Sequence, residues 1–491
     1  MPLPTTFAGD SSRGAGQWIG SYGAAPIGGP YYMALSQDTM VSYTTASNGS
    51  PNDLSTYVQV DTSGNVYEGI NFKNPYYNLE YATSIRKRNS SGTILWEYQF
   101  YENALPPGSS GVTILNAMFV DSSSNVIISV TDSAQSYLIK LNSSGSVQWQ
   151  TQVTSGSITS LTVDSSGNIY AAVASGATAA YIMKFTSSGT LSTSTSVIVN
   201  SGMPTLNGIT LDSSNNVYVV GITSTNYPLI VKYTSSLSYV SNYVATSTAP
   251  GSFYAPYIDS LGNIYVVSYG YVWKYNSSFV LQWASGINIT SPSSTIQSST
   301  LNSVAVDSSG NVFVAGYVTL FNSSGVTFTT LGLALKFPSA GNTLTIKANM
   351  ANLNNYNSSS TIVSGNNFIY GVAIDVSGNT YWSGTIRTNN VNNYTPNTGK
   401  GGGNYNFQAT FLIKDTNSFA GTHASLQSFT FSGYSVFNAQ WTSSYMTATA
   451  NSTTIGSGSG TITTGGTVPS TTSSTTILQT SGYFQYVSGT I

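Results

Sequence analysis

Short runs in which apolar or β-branched residues alternate with polar ones recur along the whole chain. Each run is cut by a cluster of Ser, Gly, Asn and Asp. A period of two bounded by turn formers predicts strands joined by tight hairpins, and no stretch keeps the three-to-four-residue apolar spacing of a helix. One punctuating cluster is nearly invariant: "VDTSGNVYEG" (60–69), "VDSSSNVIIS" (120–129), "VDSSGNIYAA" (163–172), "LDSSNNVYVV" (211–220), "IDSLGNIYVV" (258–267), "VDSSGNVFVAG" (306–316) and "IDVSGNTYWS" (374–383). The Asp carboxylate can accept backbone N–H bonds two residues on, and the Gly suits a left-handed position at a hairpin bulge. Asn216 is expected to share that glycine role in the fourth copy, and Ser124 is a poorer fit in the second.

The seven aspartates, Asp61, Asp121, Asp164, Asp212, Asp259, Asp307 and Asp375, stand 43 to 48 residues apart in the middle of the array and 60 and 68 apart at its ends. A looser element follows each copy, as in "LIKLNSSG" (138–145) and "VWKYNSSF" (272–279): a lysine inside an apolar run, then a polar turn. Segments after that turn, such as "SVQWQTQ" (146–152), supply a fourth strand. Four short antiparallel strands per unit match the blade of a β-propeller, and seven units predict seven blades.

These residues resemble the bacterial β-propeller repeats typified by D-x-S-G-N-x-Y-V-x-G followed by a Lys-bearing and a Trp-bearing strand, over roughly residues 55–435. Concatenated copies are also similar to virion and tail-fibre proteins of marine bacteriophages. The resemblance implies an all-β, seven-bladed propeller of four-stranded antiparallel blades with extensions at both ends. The expected division is 1–50 as an N-terminal anchor, 51–435 as the propeller and 436–491 as a Ser/Thr/Gly-rich β extension.

Composition narrows the chemistry. Charged residues are 6% of the chain against about 25% in ordinary domains, and the net charge is −2. Such a surface has no strong pull on nucleic acid or anionic membrane. With 40% hydrophobic residues the chain is nevertheless expected to fold. Cysteine is absent, which excludes disulfides and thiolate metal sites. No run of 18 apolar residues predicts a membrane span, and the first residues, "MPLPTTFAGD", lack the basic and apolar regions of a secretory signal. These features fit a protein made in the cytoplasm of a host cell and carried in a virion. An exported cell-surface adhesin is the alternative.

Candidate catalytic groups are sparse. The seven Asp and the recurrent Lys87, Lys140, Lys184, Lys232, Lys274, Lys336 and Lys414 belong to the repeat. They are expected to be structural, each lysine laying its stem along the blade. Glu68, Glu80, Glu97 and Glu102 could furnish a glycosidase carboxylate pair, the basis of a third reading as a carbohydrate-active enzyme, but they read better as solvated strand ends. His423 is the only histidine, and no G-x-S-x-G elbow accompanies it. D-S-S-G-N offers one carboxylate where a calcium loop gathers several oxygens. "GKGGGNYNF" (399–407) has glycines but not the order of a phosphate loop. No catalytic residue, metal ligand or cofactor is therefore assigned.

Recognition is expected in the variable segments. In a meander blade the A–B and C–D turns share one face, and the B–C and D–A connections share the other. The longest of the latter are 70–82, 317–333, 344–368 and 385–410, which ring closure would gather on one arc. Tyr76, Tyr77, Tyr356, Tyr394 and Tyr405 are the candidate contacts to a neighbouring virion subunit or a host glycan. The strand-like run 31–45 is expected to dock on the ring or on a partner. The tail "TTIGSGSGTITTGGTVPSTTSSTT" (453–476), a linker by composition, is expected to order only against another chain, with "GYFQYVSG" (482–489) after it.

Overall fold

The computed structural model describes residues 32–43, 56–73, 81–100, 113–132, 135–154, 156–175, 179–247, 251–290, 295–321, 327–341, 345–353, 363–388, 404–415, 423–431, 434–442, 447–452, 457–458, 461–463 and 471–473. They form a seven-bladed β-propeller of four-stranded antiparallel blades.

Strands A to D run from the axis outward. Blade 1 holds Thr56–Val60, Val66–Lys73, Tyr81–Arg88 and Ile94–Phe100. Blade 2 holds Thr113–Val120, Val126–Asp132, Gln135–Leu141 and Val147–Val153. Blade 3 holds Ser157–Val163, Ile169–Ser175, Ala179–Phe185 and Leu191–Ser196. Blade 4 holds Thr205–Leu211, Val217–Ile222, Pro228–Tyr233 and Tyr239–Ala245. Blade 5 holds Tyr254–Ile258, Ile264–Ser268, Tyr271–Tyr275 and Leu281–Thr290. Blade 6 holds Thr295–Val306, Val312–Phe321, Thr327–Phe337 and Thr345–Leu353. Each A strand touches the next in cyclic order, and that of blade 7, Val363–Ile374, meets Thr56–Val60 of blade 1.

Blade 7 departs from the expected wiring. Its strands B and C are Thr380–Thr388 and Asn404–Asp415, but its outermost strand is Tyr32–Tyr43, antiparallel to strand C from Tyr32 opposite Lys414 to Tyr43 opposite Asn404. The run expected to be a docking or anchoring segment is thus the fourth strand that closes the ring. The chain after strand C leaves blade 7, so the seventh unit ends before the expected limit at 435.

The tail also finds its partners within the chain. Tyr434–Thr442 pairs with strand D of blade 6, Thr447–Ser452 with that of blade 5, and Ser457–Gly458 with that of blade 4. Ile462–Thr463 pairs with Ile198–Val199 beside blade 3, and Thr471–Ser473 with strand D of blade 2. A Ser/Thr/Gly segment with little apolar surface orders here because each outer blade edge supplies unpaired N–H and C=O groups that a strand can satisfy. His423–Phe431, which holds the single histidine, pairs with Tyr434–Thr442.

The core lies between the blades. Val126, Ile128 and Ile139 of blade 2 pack on Tyr67 and Ile85 of blade 1, and corresponding clusters fill the later interfaces. At the closing seam, among the described residues, Val58, Val66, Tyr381 and Leu412 form the buried apolar cluster, with Val60 and Ala373 packed against it. Around the axis, six A strands carry a bulge, as between Leu206 and Gly208 or Leu301 and Ser303. The extra residue is often polar and reaches the neighbouring A strand. Thr159 Oγ1 donates to Leu206 O (3.0 Å), Asn207 Nδ2 to Phe253 O (2.9 Å) and Asn302 Nδ2 to Ile369 O (3.1 Å). An innermost strand has a bare backbone edge, and these side chains satisfy part of it.

Candidate functional site

The repeated polar residues meet in seven equivalent stations on the turn face. In every copy Asp Oδ1 accepts the backbone N–H of the second and fourth residues after it, and Oδ2 accepts the amide of the Asn in the fourth place. In five copies a tyrosine hydroxyl also donates to Oδ2, at 3.0 Å for Tyr265 and Asp259. The left-handed position is Gly in five copies, Ser124 (φ 62°) in blade 2 and Asn215 (φ 61°) in blade 4. Asn215, rather than Asn216, stands in for glycine, while Asn216 bonds Asp212. Ser124 adds a bond of its own across the blade boundary, from Oγ to Asp61 Oδ2 at 3.0 Å.

Burial alone would raise the Asp61 carboxyl, but the bonds from the Asn65 side chain and backbone, Ser124 and Tyr67 outweigh it and hold the group below the usual carboxylate range. Asp212 is held low in the same way by Asn216, Ser214 and Tyr218, against the opposing effect of burial. Carboxylates so occupied stabilise hairpins and make poor proton acceptors at neutral pH.

Each recurrent lysine stands directly across the B–C ladder from the residue six places after the Asp. Where that residue is aromatic the ammonium lies 5.0–5.5 Å from the ring centroid: Lys87 on Tyr67, Lys184 on Tyr170, Lys232 on Tyr218, Lys274 on Tyr265, Lys336 on Phe313 and Lys414 on Tyr381. Blade 2 has Ile127 there, and Lys140 instead pairs with Asp121 Oδ2 at 3.3 Å. Several lysines also reach the C–D turn of the next blade. Lys184 Nζ donates to Ser235 O (3.0 Å) and Lys414 Nζ, across the closing seam, to Ser90 O (2.9 Å). Lys87, Lys184 and Lys414 thereby tie their own blades to the next.

A second device, not anticipated from the sequence, joins strand D of one blade to the C–D turn of the next. The residue opposite the lysine on strand D is Trp96, Trp149, Thr193, Ser241, Trp283 and Thr345 in blades 1 to 6, and Tyr32 in blade 7. The left-handed turn residue of the following blade is Gly145, Gly189, Leu237, Phe279 and Gly341 in blades 2 to 6, and Gly92 in blade 1. Tryptophan thus faces glycine at Gly145, Gly189 and Gly341, and the small Thr193 and Ser241 precede Leu237 and Phe279. The fit is steric: a Cβ on Gly145 would sit 2.8 Å from the Trp96 ring and one on Gly189 2.6 Å from that of Trp149. Trp96 Nε1 and Trp149 Nε1 each donate at 3.0 Å to a serine carbonyl of that turn. Where the Trp is missing, Phe279 packs edge-on against Tyr218 at 6.2 Å, and Leu237 joins the cluster around Tyr170.

This complementarity makes a prediction. Gly145→Phe should destabilise the protein by several kcal/mol, because it forces a bulky residue into a left-handed conformation against Trp96. Trp96→Ser should cost about 3–5 kcal/mol as a large-to-small core change. The double variant should recover at least about 2 kcal/mol of the sum, the upper part of the range for touching residues. Urea unfolding of the four proteins checks it; simple additivity would show that the two positions do not share space.

A cleft of about 270 Å³ lies between blades 6 and 7, lined by Asp307, Phe313, Lys336, Thr380 and Asp415 among others. It lies where Leu237 and Phe279 fill the equivalent space in blades 4 and 5. The residue at that repeat position in blade 7 is Phe419, outside the described residues. The cleft is therefore not assigned to a ligand.

Glu68 and Glu97 of blade 1 are not solvated strand ends. Glu68 shares a sheet face with Val66, which packs on Tyr381 and Leu412 of blade 7, so the charges line the closing seam. Arg88 Nε lies 2.5 Å from Glu68 Oε2, both side chains being at most 4% exposed. Glu97 is held by Arg86 through Nε at 3.0 Å and a second guanidinium nitrogen at 3.1 Å, and by Ser84 Oγ at 2.7 Å. These two carboxylates are committed to ion pairs rather than presented as an acid and a base. Glu80 and Glu102 lie outside the described residues. Among the described residues no three His, Cys, Asp or Glu side chains gather as a metal site.

Parts of 317–333, 344–368 and 385–410 are strand: strand A is 12 residues long in blades 6 and 7, against 5 to 8 in blades 1 to 5. Since the Asp turns are equivalent, the extra length rises on the far face by roughly 15 Å at about 3.3 Å per residue. There Leu353 and Asn352 of blade 6 pair with Val363 and Ser364 of blade 7, fusing the two blades into one sheet. Of the candidate contacts, Tyr405 lies on strand C of blade 7 opposite Ser42 of the N-terminal strand. Tyr76, Tyr77, Tyr356 and Tyr394 lie outside the described residues.

No known family model and no curated protein sequence matches the chain. Among solved structures it is similar to a protein of unknown function from Bacteroides caccae, at 12% identity and a TM-score of 0.34, over 56% of this chain and 92% of that one. A luciferin-regenerating enzyme shares 13% identity at a TM-score of 0.35, over 58% and 90%. A gluconolactonase from Xanthomonas campestris shares 11% at 0.33, over 60% and 88%. These values carry no argument about activity.

Proposed function

We propose that the protein is a non-enzymatic structural component of a bacteriophage virion, associated with the tail or a fibre, whose propeller serves assembly and host-surface recognition. The observation that carries this reading is the asymmetry of the ring. The turn face is built from seven near-identical stations whose charged groups are used within the blade or to join it to the next. The other face rises at the fused blades 6 and 7, next to blade 1, where the longest variable segments lie. Binding residues concentrate in variable segments carried on a rigid scaffold. The partners would be other virion proteins, with a host surface glycan as a further ligand of the same arc.

Replacing 389–403 by a short Gly turn keeps the paired parts of Thr380–Thr388 and Asn404–Asp415 and tests the reading. The ring should keep its thermal transition, while attachment or particle yield falls at least tenfold. Unchanged infectivity and yield would refute the assignment. The exchanged variant also separates roles: loss of particles indicates an assembly contact, and normal particles that fail to adsorb indicate host recognition.

A further inference from the structure

The C-terminal segment moves around the ring in one direction. From Tyr434 to Ser473 it visits the outer edges of blades 6, 5 and 4, then Ile198–Val199 beside blade 3, then the outer edge of blade 2, antiparallel to its host strand at every step. The connections between successive stops are short, from 443–446 to 464–470. Blade 1 is next on this path. Among the described residues its sheet ends at Ile94–Phe100, with no fifth strand. A further 18 residues follow Ser473, and they contain the strand-like run "GYFQYVSG" at 482–489. The eight residues 474–481 exceed by one the longest connection already used along the belt, the seven residues 464–470.

We propose that residues 482–489 pair antiparallel with Ile94–Phe100, so that the belt ends on blade 1, the blade that carries the buried ion pairs at the seam. The occupant is this chain's own terminus rather than a second copy, because every earlier stop is occupied from within the chain and the next edge is one connection away. Blade 7 is then the one blade whose outer edge, Tyr32–Tyr43, lies beyond the reach of the belt.

Hydrogen exchange of the Ile94–Phe100 amides tests this in the intact protein, in a chain ending at Ser473 and in a full-length Gln485→Pro variant. Proline removes a donor and interrupts a ladder without shortening the chain. The expected result is at least a tenfold faster exchange of these amides in both variants, with blades 3 to 5 unchanged. Equal exchange in all three proteins would overturn the proposal. So would protection in the intact protein that rises with protein concentration, since the strand would then come from another molecule.

Discussion

A chain lacking residues 1–43 should fail to close its ring. Tyr32–Tyr43 contributes a ladder of eleven residue pairs to strand C of blade 7, and no other described strand covers that edge. At about 0.5–1.5 kcal/mol per net hydrogen bond, a ladder of this length is comparable to the whole stability of many domains. Closure adds to this, since strand D of blade 7 is supplied from the opposite end of the chain and joins first and last elements. We expect the truncated protein to lose its single cooperative unfolding transition and to become susceptible to proteolysis first in blades 7 and 1. A synthetic peptide spanning 32–43, added in trans, should restore part of the protection. A truncated protein that melts cooperatively at an unchanged temperature would mean that the strand decorates the ring rather than closing it.

The number and the turn chemistry of the blades were legible because each D-x-S-G-N hairpin is a local solution: Asp, Gly and Asn satisfy one another within five residues. The origin of the seventh blade's outer strand was not, because Tyr32 and Lys414 are hundreds of residues apart and only the ladder joins them. A signal was nevertheless present. The alternation of Trp or Tyr with Gly, and of Thr or Ser with Leu or Phe, holds from one unit to the next, and Tyr32 completes it ahead of Gly92. The belt escaped sequence reading for a different reason. Ser, Thr and Gly read as linker when the chain is considered alone, whereas here their order comes from bare edges on other blades. Glu68 and Glu97 were misplaced for want of their partners, since Arg86 and Arg88 fall on the same sheet face only once the register is known. The station hydrogen bonds follow the local Asp, Gly and Asn pattern, whereas the aromatic seat of six of the seven lysines was missed.

Alkaline pH should unfold the ring steeply, through its tyrosines. Burial raises the phenols of Tyr233 and Tyr275 far above their ordinary value. It does the same for Tyr67, Tyr218 and Tyr265, where the charge of the station aspartates Asp61, Asp212 and Asp259 adds to it. Tyr98, Tyr170, Tyr243 and Tyr257 are raised as well, burial again being the main cause. A group whose folded pKa lies above its unfolded value contributes stability that is complete below the unfolded pKa, here about 10, and is lost as pH rises toward the folded one. Each tyrosine that is ionised in the unfolded chain but protonated in the fold lowers stability by about 1.4 kcal/mol per pH unit in that window. Lys87 and Lys414 act with the opposite sign. Burial lowers their folded pKa despite nearby Asp61 and Asp375, so the cost of the buried ammonium is relieved as pH rises to the ordinary lysine value. Two lysines cannot offset this many phenols, and their relief ends near pH 10.5 whereas the loss from the tyrosines continues. The urea midpoint should therefore fall sharply between pH 10 and 12. Absorbance at 295 nm should show a large fraction of the 35 tyrosines ionising together with loss of the β-sheet circular dichroism signal. Tyr218→Phe should lose the station bond to Asp212, a change the natural Phe313 shows to be tolerated, and should flatten the pH dependence. Tyrosines that titrate near pH 10 while the sheet remains intact would show that water reaches the blade interfaces and that these phenols are not sealed within the ring.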